Sequence, residues 1–283
     1  MPRLVGELEW DAPLRLLGGL HALVLTGRAS WDDLDAALEH PELPNLARRS
    51  VQTNEVRRSW VLAPCFLELA RRTGADALDL IELGPSAGFN LLWDRYRHVY
   101  TAGTWGPPDG VLELEGEERT PVPPGLLGLV PRVEQRVGID LNPVDVTTDE
   151  GALLLRSFVW PGQPERLERL DRAIEAVRRD PPELVRGDFA DELESLLARR
   201  LPGALTVVFM TAVLGYVSDA GWARTQEVLV EAGSHGPLAF VWADRPAAGV
   251  DEYWGLWLRL WPGGEPELLA HADVHGAWLE WLR

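Results

Sequence analysis

The hydrophobic pattern divides the chain into a helical first part and a second part in which apolar runs alternate with amphipathic segments. Residues 12–25 and 53–72 have the length and periodicity of helices, whereas the apolar run at 78–83 has the length of a buried strand. Further runs predict strands near 132–140, 183–186, 206–211 and 238–243, and the segments between them predict helices at 87–97, 165–179, 191–200 and 221–232. This alternation predicts an α/β fold with a mostly parallel, Rossmann-like sheet covered by helices on both faces.

Two segments depart from the alternation. Residues 100–131 are rich in glycine and proline around an alternating stretch at 111–115, so we predict an insertion made of a hairpin and a loop. Apolar runs at 253–261 and 267–271 flank Pro262-Gly263-Gly264, which predicts a C-terminal antiparallel hairpin that closes the sheet. We therefore expect an N-terminal helical cap over residues 1–75 and a Rossmann domain over residues 76–283 that carries the insertion.

Composition narrows the partners and the chemistry of the chain. Its 283 residues carry a net charge of −17, which argues against a basic face for DNA or RNA. All 27 basic residues are arginine, which excludes a Schiff-base lysine and a phosphate-binding P-loop lysine. Cys65 is the single cysteine, so an internal disulfide is excluded, and we find no apolar run of membrane-spanning length. We expect a cytoplasmic protein with a small-molecule partner, and neither a nucleic-acid nor a membrane partner.

A glycine-bracketed turn follows the first predicted strand, in the segment Glu82-Leu83-Gly84-Pro85-Ser86-Ala87-Gly88-Phe89-Asn90. A strand, a glycine turn and a helix together hold a nucleotide at the carboxyl edge of a sheet. Gly84 lets the chain turn, and Gly88 lets the next element approach the strand or a ligand without a Cβ in the way. The pattern E-x-G-x-S-x-G resembles that of class I S-adenosylmethionine-dependent methyltransferases. We name residues 84–88 the glycine turn and predict cofactor contacts for Glu82, Gly84, Ser86, Gly88 and Asn90.

Three later strand ends carry polar residues that suit an adenosyl group. Asp140 ends the second strand of the predicted sheet, where a carboxylate can accept hydrogen bonds from both ribose hydroxyls. Asp188 and Phe189 follow the third strand and offer an acceptor for the adenine amine beside an apolar surface. Thr211 ends the fourth strand, near the expected position of the reactive methyl group. Each aspartate, taken alone, is equally compatible with an ordinary turn-forming residue.

Other residues are candidates for the substrate pocket or for a general base. The polar cluster at 52–58 precedes a predicted helix, so it either covers the pocket or simply begins that helix. The candidates are Gln52, Asn54, Arg57, Trp160 and Tyr216 for the pocket, and Glu55, Asp145 and His275 for the base.

Two alternative functions remain open at this point. The glycine turn also fits G-x-S-x-G, the nucleophile elbow of α/β-hydrolases, with Ser86 as the nucleophile of a serine esterase. His275 would be its histidine, and the acid would be Asp219, Asp244 or Asp251. Only helical sequence precedes the turn, however, whereas a hydrolase elbow normally follows several strands and an oxyanion-hole segment. The second alternative is a non-catalytic nucleotide-binding module.

The segment His271-x-Asp273-x-His275 has the residue types of a metal site. On a strand this spacing puts all three side chains on one face, and two histidines with a carboxylate form a known ligand set. Gly276 follows at once, and no fourth ligand is evident. We therefore predict no metal cofactor and expect His275 to line the pocket or to pack as an ordinary histidine.

Several segments together resemble an uncharacterised bacterial domain-of-unknown-function family, number two-three-three-two. They are Gln52-Thr53-Asn54-Glu55, Glu82-x-Gly84-x-Ser86-Ala87-Gly88-x-Asn90-Leu91 with Asp94-Arg95-Tyr96, Gly138-Ile139-Asp140-x-Asn142-Pro143-x-Asp145, Phe158-x-Trp160-Pro161, Arg186-Gly187-Asp188 and His275-Gly276. The resemblance implies a methyltransferase-like core with S-adenosylmethionine as cofactor. It names no substrate, and Ser86 stands where the wider methyltransferase pattern has a glycine. No N-P-P-Y segment follows the fourth strand, so the usual signature of amide or base N-methylation is missing and the expected acceptor is an unknown small molecule.

Overall fold

The computed structural model describes residues 11–52, 54–244 and 253–283. The α-helices in these ranges are Ala12–Leu25 (α1), Leu34–Leu38 (α2), Leu43–Leu46 (α3), Arg58–Thr73 (α4), Asp149–Ser157 (α5), Pro164–Arg179 (α6), Phe189–Leu197 (α7) and Asp219–Ser234 (α8). The strands are Ala77–Leu83 (β1), Arg97–Tyr100 (β2), Gly103–Trp105 (β3), Glu113–Glu115 (β4), Glu117–Thr120 (β5), Arg132–Asp140 (β6), Glu183–Arg186 (β7), Leu205–Thr211 (β8), Leu238–Asp244 (β9), Tyr253–Trp261 (β10), Glu267–Asp273 (β11) and Trp278–Trp281 (β12). Short 3₁₀ helices occupy Phe89–Arg95, Pro124–Leu126 and Leu214–Tyr216.

Contacts divide the chain into two compact units. The helical unit comprises residues up to 54 together with 144–178, and the sheet unit comprises 55–143 together with 179–283. In the helical unit α1 packs against α3 and α5, and Gly18 permits this packing because a Cβ there would lie 2.8 Å from the ring of Phe158. Helix α4, which we predicted in the N-terminal cap, belongs to the sheet unit. Helix α5 had no counterpart among the predicted elements.

The large sheet has the strand order β5-β12-β11-β10-β9-β8-β1-β6-β7. Strands β9, β8, β1, β6 and β7 are neighbours in this order, and all five run parallel. Strands β10, β11 and β12 add an antiparallel meander beside β9. The chain builds outward from β1 to β6 and β7, then returns to build β8 and β9 on the other side. The predicted α/β class, with a mostly parallel Rossmann-like sheet and antiparallel C-terminal strands, is confirmed. The last part is one strand longer than the predicted hairpin.

Helices of the sheet unit cover the parallel strands on both faces. On one face α7 and α8 pack on Ile81 and Leu83 of β1 and on Met210 of β8. On the other face Phe66 of α4 meets Phe209 of β8 edge-to-face, with ring centroids 5.2 Å apart. Every residue of β1 and β8 is therefore buried, as expected for strands in the middle of a parallel sheet.

The helix predicted over residues 87–97 is wrong, because a seven-residue 3₁₀ helix and strand β2 occupy this segment. Side chains take up the carbonyl groups that an α-helix would use. The Tyr96 hydroxyl donates to the Phe89 carbonyl (2.9 Å), Arg136 Nε donates to the Leu91 carbonyl (3.1 Å), and His98 Nε2 lies 2.8 Å from the Trp93 carbonyl. Burial lowers the pKa of His98 to about 4, so a neutral imidazole donates this last bond. These contacts satisfy the backbone locally without an α-helical ladder.

Strands β2 and β3 form a hairpin that begins at Arg97, before the predicted insertion of residues 100–131. The alternating stretch forms β4, which pairs in parallel with β2. Strand β5 leaves this small sheet and pairs in parallel with β12 at the edge of the large sheet. The insertion thus contributes β5 to the large sheet and β3 and β4 to the small sheet.

Candidate functional site

The carboxyl ends of β1, β6, β7 and β8 meet at one edge of the sheet because these strands are parallel. Strand β1 lies between β6 and β8, where the chain reverses the direction in which it adds strands. Open α/β sheets bind their ligands in the crevice at such a switch point. The glycine turn leaves β1 at this place, and the predicted residues Asp140, Asp188 and Thr211 end or follow the neighbouring strands.

Backbone strain marks both sides of the switch point. Ser86, in the glycine turn after β1, has φ 54°, and Ala212, directly after β8, has φ 57°. Within the described ranges these are the two residues other than glycine with positive φ. Such conformations cost about 1–3 kcal/mol each and concentrate at functional sites. Their position on adjacent strand ends makes this edge the strongest site candidate of the sheet unit.

The glycines of the turn allow close packing of neighbouring loops. A Cβ at Gly84, where φ is 74°, would lie 2.6 Å from a methyl carbon of Val213, in the loop after β8. A Cβ at Gly88 would lie 2.6 Å from Cγ of Pro182, just before β7. We expected Gly88 to allow the strand or a ligand to approach closely. The group that approaches it in the structure is the side chain of Pro182. The turn is therefore clamped between the loops of its neighbouring strands.

Asp140 connects the end of β6 to the glycine turn. Its Oδ2 accepts a hydrogen bond from the Ser86 amide (2.8 Å), and its Oδ1 accepts one from the Asn142 amide (2.8 Å). The side chain is half-buried. A carboxylate oxygen can accept more than one hydrogen bond, so this carboxylate holds the turn in place and retains acceptor capacity.

Glu82 is a buried acid at the end of β1, with 2% of its surface exposed. Its Oε1 accepts a hydrogen bond from Asn90 Nδ2 (3.4 Å), and its Oε2 has no hydrogen-bond partner among the described residues. Burial raises the pKa of Glu82 to about 8, and the negative charge of Asp140 adds to the rise, against the opposing effects of Asn90 and Arg58. A buried acid with a free oxygen and a raised pKa is typical of functional sites.

Helix α4 begins against the turn that joins β11 to β12. Arg58 is buried, donates from Nε to the Val274 carbonyl (3.0 Å) and lies 4.9 Å from the ring centre of Trp254. Gly276 makes this approach possible, because a Cβ there would lie 2.5 Å from the Arg57 carbonyl oxygen. The structure thus brings the segments of Arg57 and His275 together. Arg58 lies in the predicted polar cluster at 52–58 but was not among the candidate pocket residues, although an Arg-Arg pair at the start of an apolar helix is a signal for a buried cation.

Three predicted residues in this region have clear backbone roles. Buried Glu55 accepts from the Arg57 amide through Oε1 (3.2 Å), and Arg57 Nε donates to the Glu115 carbonyl (2.8 Å). His275 is exposed, and its amide donates to Oδ1 of Asp273 (2.9 Å). The described residues contain no group of three His, Cys, Asp or Glu side chains that could hold a metal ion.

The residues predicted around the adenine have different environments. Asp188 is exposed and caps α7, since its Oδ1 accepts from the Ala190 amide (2.9 Å). Phe189 is buried in the core under α7 rather than standing open at the edge. Thr211 is buried at the end of β8, and Tyr216 is 54% exposed in the 3₁₀ helix Leu214–Tyr216. The capping role of Asp188 is therefore visible, and its contact with a cofactor stays a prediction.

Four of the predicted residues belong to the helical unit. Gln52 is buried, and its carbonyl accepts from the Asn54 amide (3.0 Å). Asp145 is exposed and accepts from the Thr147 amide through Oδ1 (2.9 Å); hydrogen bonds from Thr147 lower the pKa of Asp145. A lowered pKa makes Asp145 a weak base. Trp160 is half-buried after α5.

Comparison with known proteins places these observations in context. A family model described as "Uncharacterized protein conserved in bacteria (DUF2332)" matches residues 7–281. No curated protein matches the sequence. Among solved structures the chain is similar to the crystal structure of CalS11, calicheamicin methyltransferase, with 17% identity over 83% of this chain and 78% of that chain. The TM-score is 0.26, and a likeness at that level carries no argument about activity.

No helix within residues 11–52, 54–244 and 253–283 has the combination of length and apolar character that crossing a membrane requires.

Proposed function

This chain belongs to the family of uncharacterised bacterial proteins DUF2332, and we propose that it binds S-adenosylmethionine at the carboxyl edge of its sheet and methylates a small molecule. The observation that carries the proposal is the strained backbone at Ser86 and Ala212, on the two sides of the strand switch point. Folded proteins retain such strained backbone conformations chiefly at active sites and ligand-binding sites. The family description states no activity, so the argument rests on the residues of this edge.

The groups at this edge fit an adenosyl cofactor. When bound, S-adenosylmethionine supplies an activated methyl group. Asp140 retains acceptor capacity for ribose hydroxyls, and Asp188 has a second carboxylate oxygen for the adenine amine. The free Oε2 of Glu82 is the group that suits the polar methionine end, whereas the amides of Gly84, Ser86 and Gly88 already donate to protein acceptors.

The element after the glycine turn favours a ligand without phosphate groups. Dinucleotide-binding folds place the pyrophosphate at the N-terminus of a long α-helix, whose free amides and dipole bind the negative charge. Here the turn leads into the seven-residue 3₁₀ helix Phe89–Arg95. The carboxylate of Asp140 lies nearby, where it would repel a phosphate group. These features support an adenosyl cation in preference to a nicotinamide dinucleotide.

The protein would contribute to the reaction mainly by positioning. Methyl transfer needs the acceptor, the methyl carbon and the sulfur in line, and holding reactants in this geometry supplies much of the rate. The Asp140 hydrogen bond to Ser86 and the packing of Val213 on Gly84 hold the turn rigid. Of the predicted bases, Glu55 and His275 belong to the sheet unit, while the contacts of Asp145 weaken it as a base.

Isothermal titration calorimetry tests the cofactor directly. We expect S-adenosylmethionine and S-adenosylhomocysteine to bind to the wild-type protein, and NAD to show no binding under the same conditions. Binding of NAD without binding of either adenosyl compound would contradict the proposal. Turnover is then tested by transfer of a labelled methyl group to a panel of small metabolites.

A serine hydrolase is the second candidate, because Ser86 adopts the positive φ that a nucleophile elbow also shows. Against it, β1 is the first strand within the described part of the chain, so earlier strands and their oxyanion-hole loop are missing there. Of the proposed acids, Asp219 is the first residue of α8, Asp251 lies outside the described residues, and so does the side chain of Asp244.

A fluorophosphonate probe separates the two candidates. We expect no labelling of the wild-type protein, since methyl transfer needs no serine nucleophile. Labelling that disappears in Ser86→Ala and persists in Ser218→Ala, a helix-capping serine of α8, would establish the hydrolase instead.

A further inference from the structure

Three buried side chains form a hydrogen-bonded chain on the α4 face of the sheet. Ser59 Oγ, at the start of α4, donates to Asn90 Oδ1 (2.9 Å), and Asn90 Nδ2 donates to Glu82 Oε1 (3.4 Å). Their exposed fractions are 0% for Ser59, 4% for Asn90 and 2% for Glu82. The chain thus connects three separate elements: α4, the 3₁₀ helix after the glycine turn, and β1.

The direction of these bonds determines which oxygen of the Glu82 carboxyl group accepts a hydrogen bond and which one can carry a proton. The amide oxygen of Asn90 accepts from the Ser59 hydroxyl, and its amide nitrogen faces Glu82. Oε1 is therefore an acceptor, and a proton on the carboxyl group resides on Oε2, the atom without a partner among the described residues. Leaving a buried polar group unsatisfied in this way destabilises the folded state. Native structures keep such groups rarely, and a ligand contact is one reason to keep them.

We propose, on the basis of the function proposed above, that Ser59 and Asn90 are positioning residues that turn Oε2 of Glu82 toward a hydrogen-bonding group of the adenosyl cofactor. The positive methionine ammonium is the group of matching chemistry. Both amide groups of Asn90 have protein partners, which makes support of Glu82 its main role in place of the predicted direct cofactor contact. The charged groups that act on Glu82 are Asp140 from β6 and Arg58 from α4, and Glu82 in turn acts on Tyr96, next to β2.

Infrared difference spectroscopy of the ligand-free protein tests the positioning chain without any cofactor. The carbonyl band of protonated Glu82, identified by its loss in Glu82→Gln, is followed as a function of pH. Asn90→Leu should move the titration of this band upward by about one pKa unit, because it removes a bond that favours the charged form. Ser59→Ala should move it in the same direction by less, since the Asn90 amide is then free to turn. Thr225→Val, which deletes another buried hydroxyl on α8, is the control that leaves the band unchanged.

The same band, followed while S-adenosylmethionine is added, tests the contact. We expect the band of wild-type protein to decrease near neutral pH as the ammonium group drives Glu82 to ionise, and we expect this response to weaken in Asn90→Leu. An unmoved titration in both variants overturns the positioning role. Cofactor binding without a change in the band overturns the contact between Glu82 and the cofactor. Absence of binding refutes the proposed function. In that case the ligand-free titration still decides whether Ser59 and Asn90 position Glu82.

Discussion

Replacing Glu82 with glutamine should make the protein resistant to the loss of stability that wild type shows on going from acidic to alkaline pH. The folded state raises the pKa of Glu82 from its ordinary value of 4.5 to about 8, chiefly through burial. Between these values the unfolded chain ionises Glu82 freely and the folded protein does not, so wild-type stability falls as pH rises and levels off above the folded pKa. Since each pKa unit is worth about 1.4 kcal/mol, the total is roughly 5 kcal/mol.

Urea denaturation of wild type and Glu82→Gln at a series of pH values measures this effect. The stability of wild type relative to the variant should be greatest below pH 4.5, fall through neutral pH and become constant above about pH 8. Glu227→Gln, on the exposed surface of α8, controls for the loss of one carboxyl group. A stability difference between wild type and Glu82→Gln that does not vary with pH would show that Glu82 is solvated like an ordinary glutamate.

The second large effect is expected for Asp140→Ala, in the affinity for S-adenosylmethionine. The substitution removes the acceptors proposed for the ribose hydroxyls and releases the Ser86 amide that shapes the glycine turn. Losing such hydrogen bonds in a closed site should cost about 1–3 kcal/mol of binding free energy, which corresponds to a Kd weaker by about fivefold to 150-fold. Isothermal titration calorimetry with S-adenosylmethionine measures the change.

The control for Asp140→Ala is Asp273→Ala. Asp273 also accepts two backbone hydrogen bonds, from the amides of His275 and Ala277, but it does so in the turn between β11 and β12. Both variants should lose stability, and only Asp140→Ala should lose affinity strongly. Equal affinities of wild type and Asp140→Ala would remove Asp140 from the proposed ribose site.

The parallel strands could be predicted because their signals are local. The runs at 78–83 and 206–211 lie within β1 and β8, in which every residue is buried, since apolar residues with polar boundaries indicate buried strands wherever they pack. The 3₁₀ helix at Phe89–Arg95 was not predictable in this way. Its conformation depends on side chains such as Arg136, which is distant in sequence and binds the Leu91 carbonyl. Helix α5 did carry a local signal, a Thr148 cap followed by Asp149 and Glu150, that the pattern analysis overlooked.

The candidate site was predictable in outline and not in its connections. The position of Asp140 followed from its place at the end of a strand, whereas its bond to the Ser86 amide depends on how the turn folds back. Glu82 was expected beside the cofactor, but the free oxygen and its support by Ser59 result from packing between elements. Arg58 was placed in the polar cluster at 52–58, but its burial and its bond to the Val274 carbonyl depend on a turn that lies far away in the sequence.

The pairing of β5 with β12 has a consequence for the order in which the protein folds. Residue 117 is hydrogen-bonded in register with residue 278, so one edge of the sheet joins segments that lie far apart in the chain. Contacts of such high sequence separation form slowly, because the long loop between them must close first. During synthesis the polar strand around Arg119 therefore waits for its partner to leave the ribosome, and its charged side chains protect this edge against mispairing with other chains in the meantime.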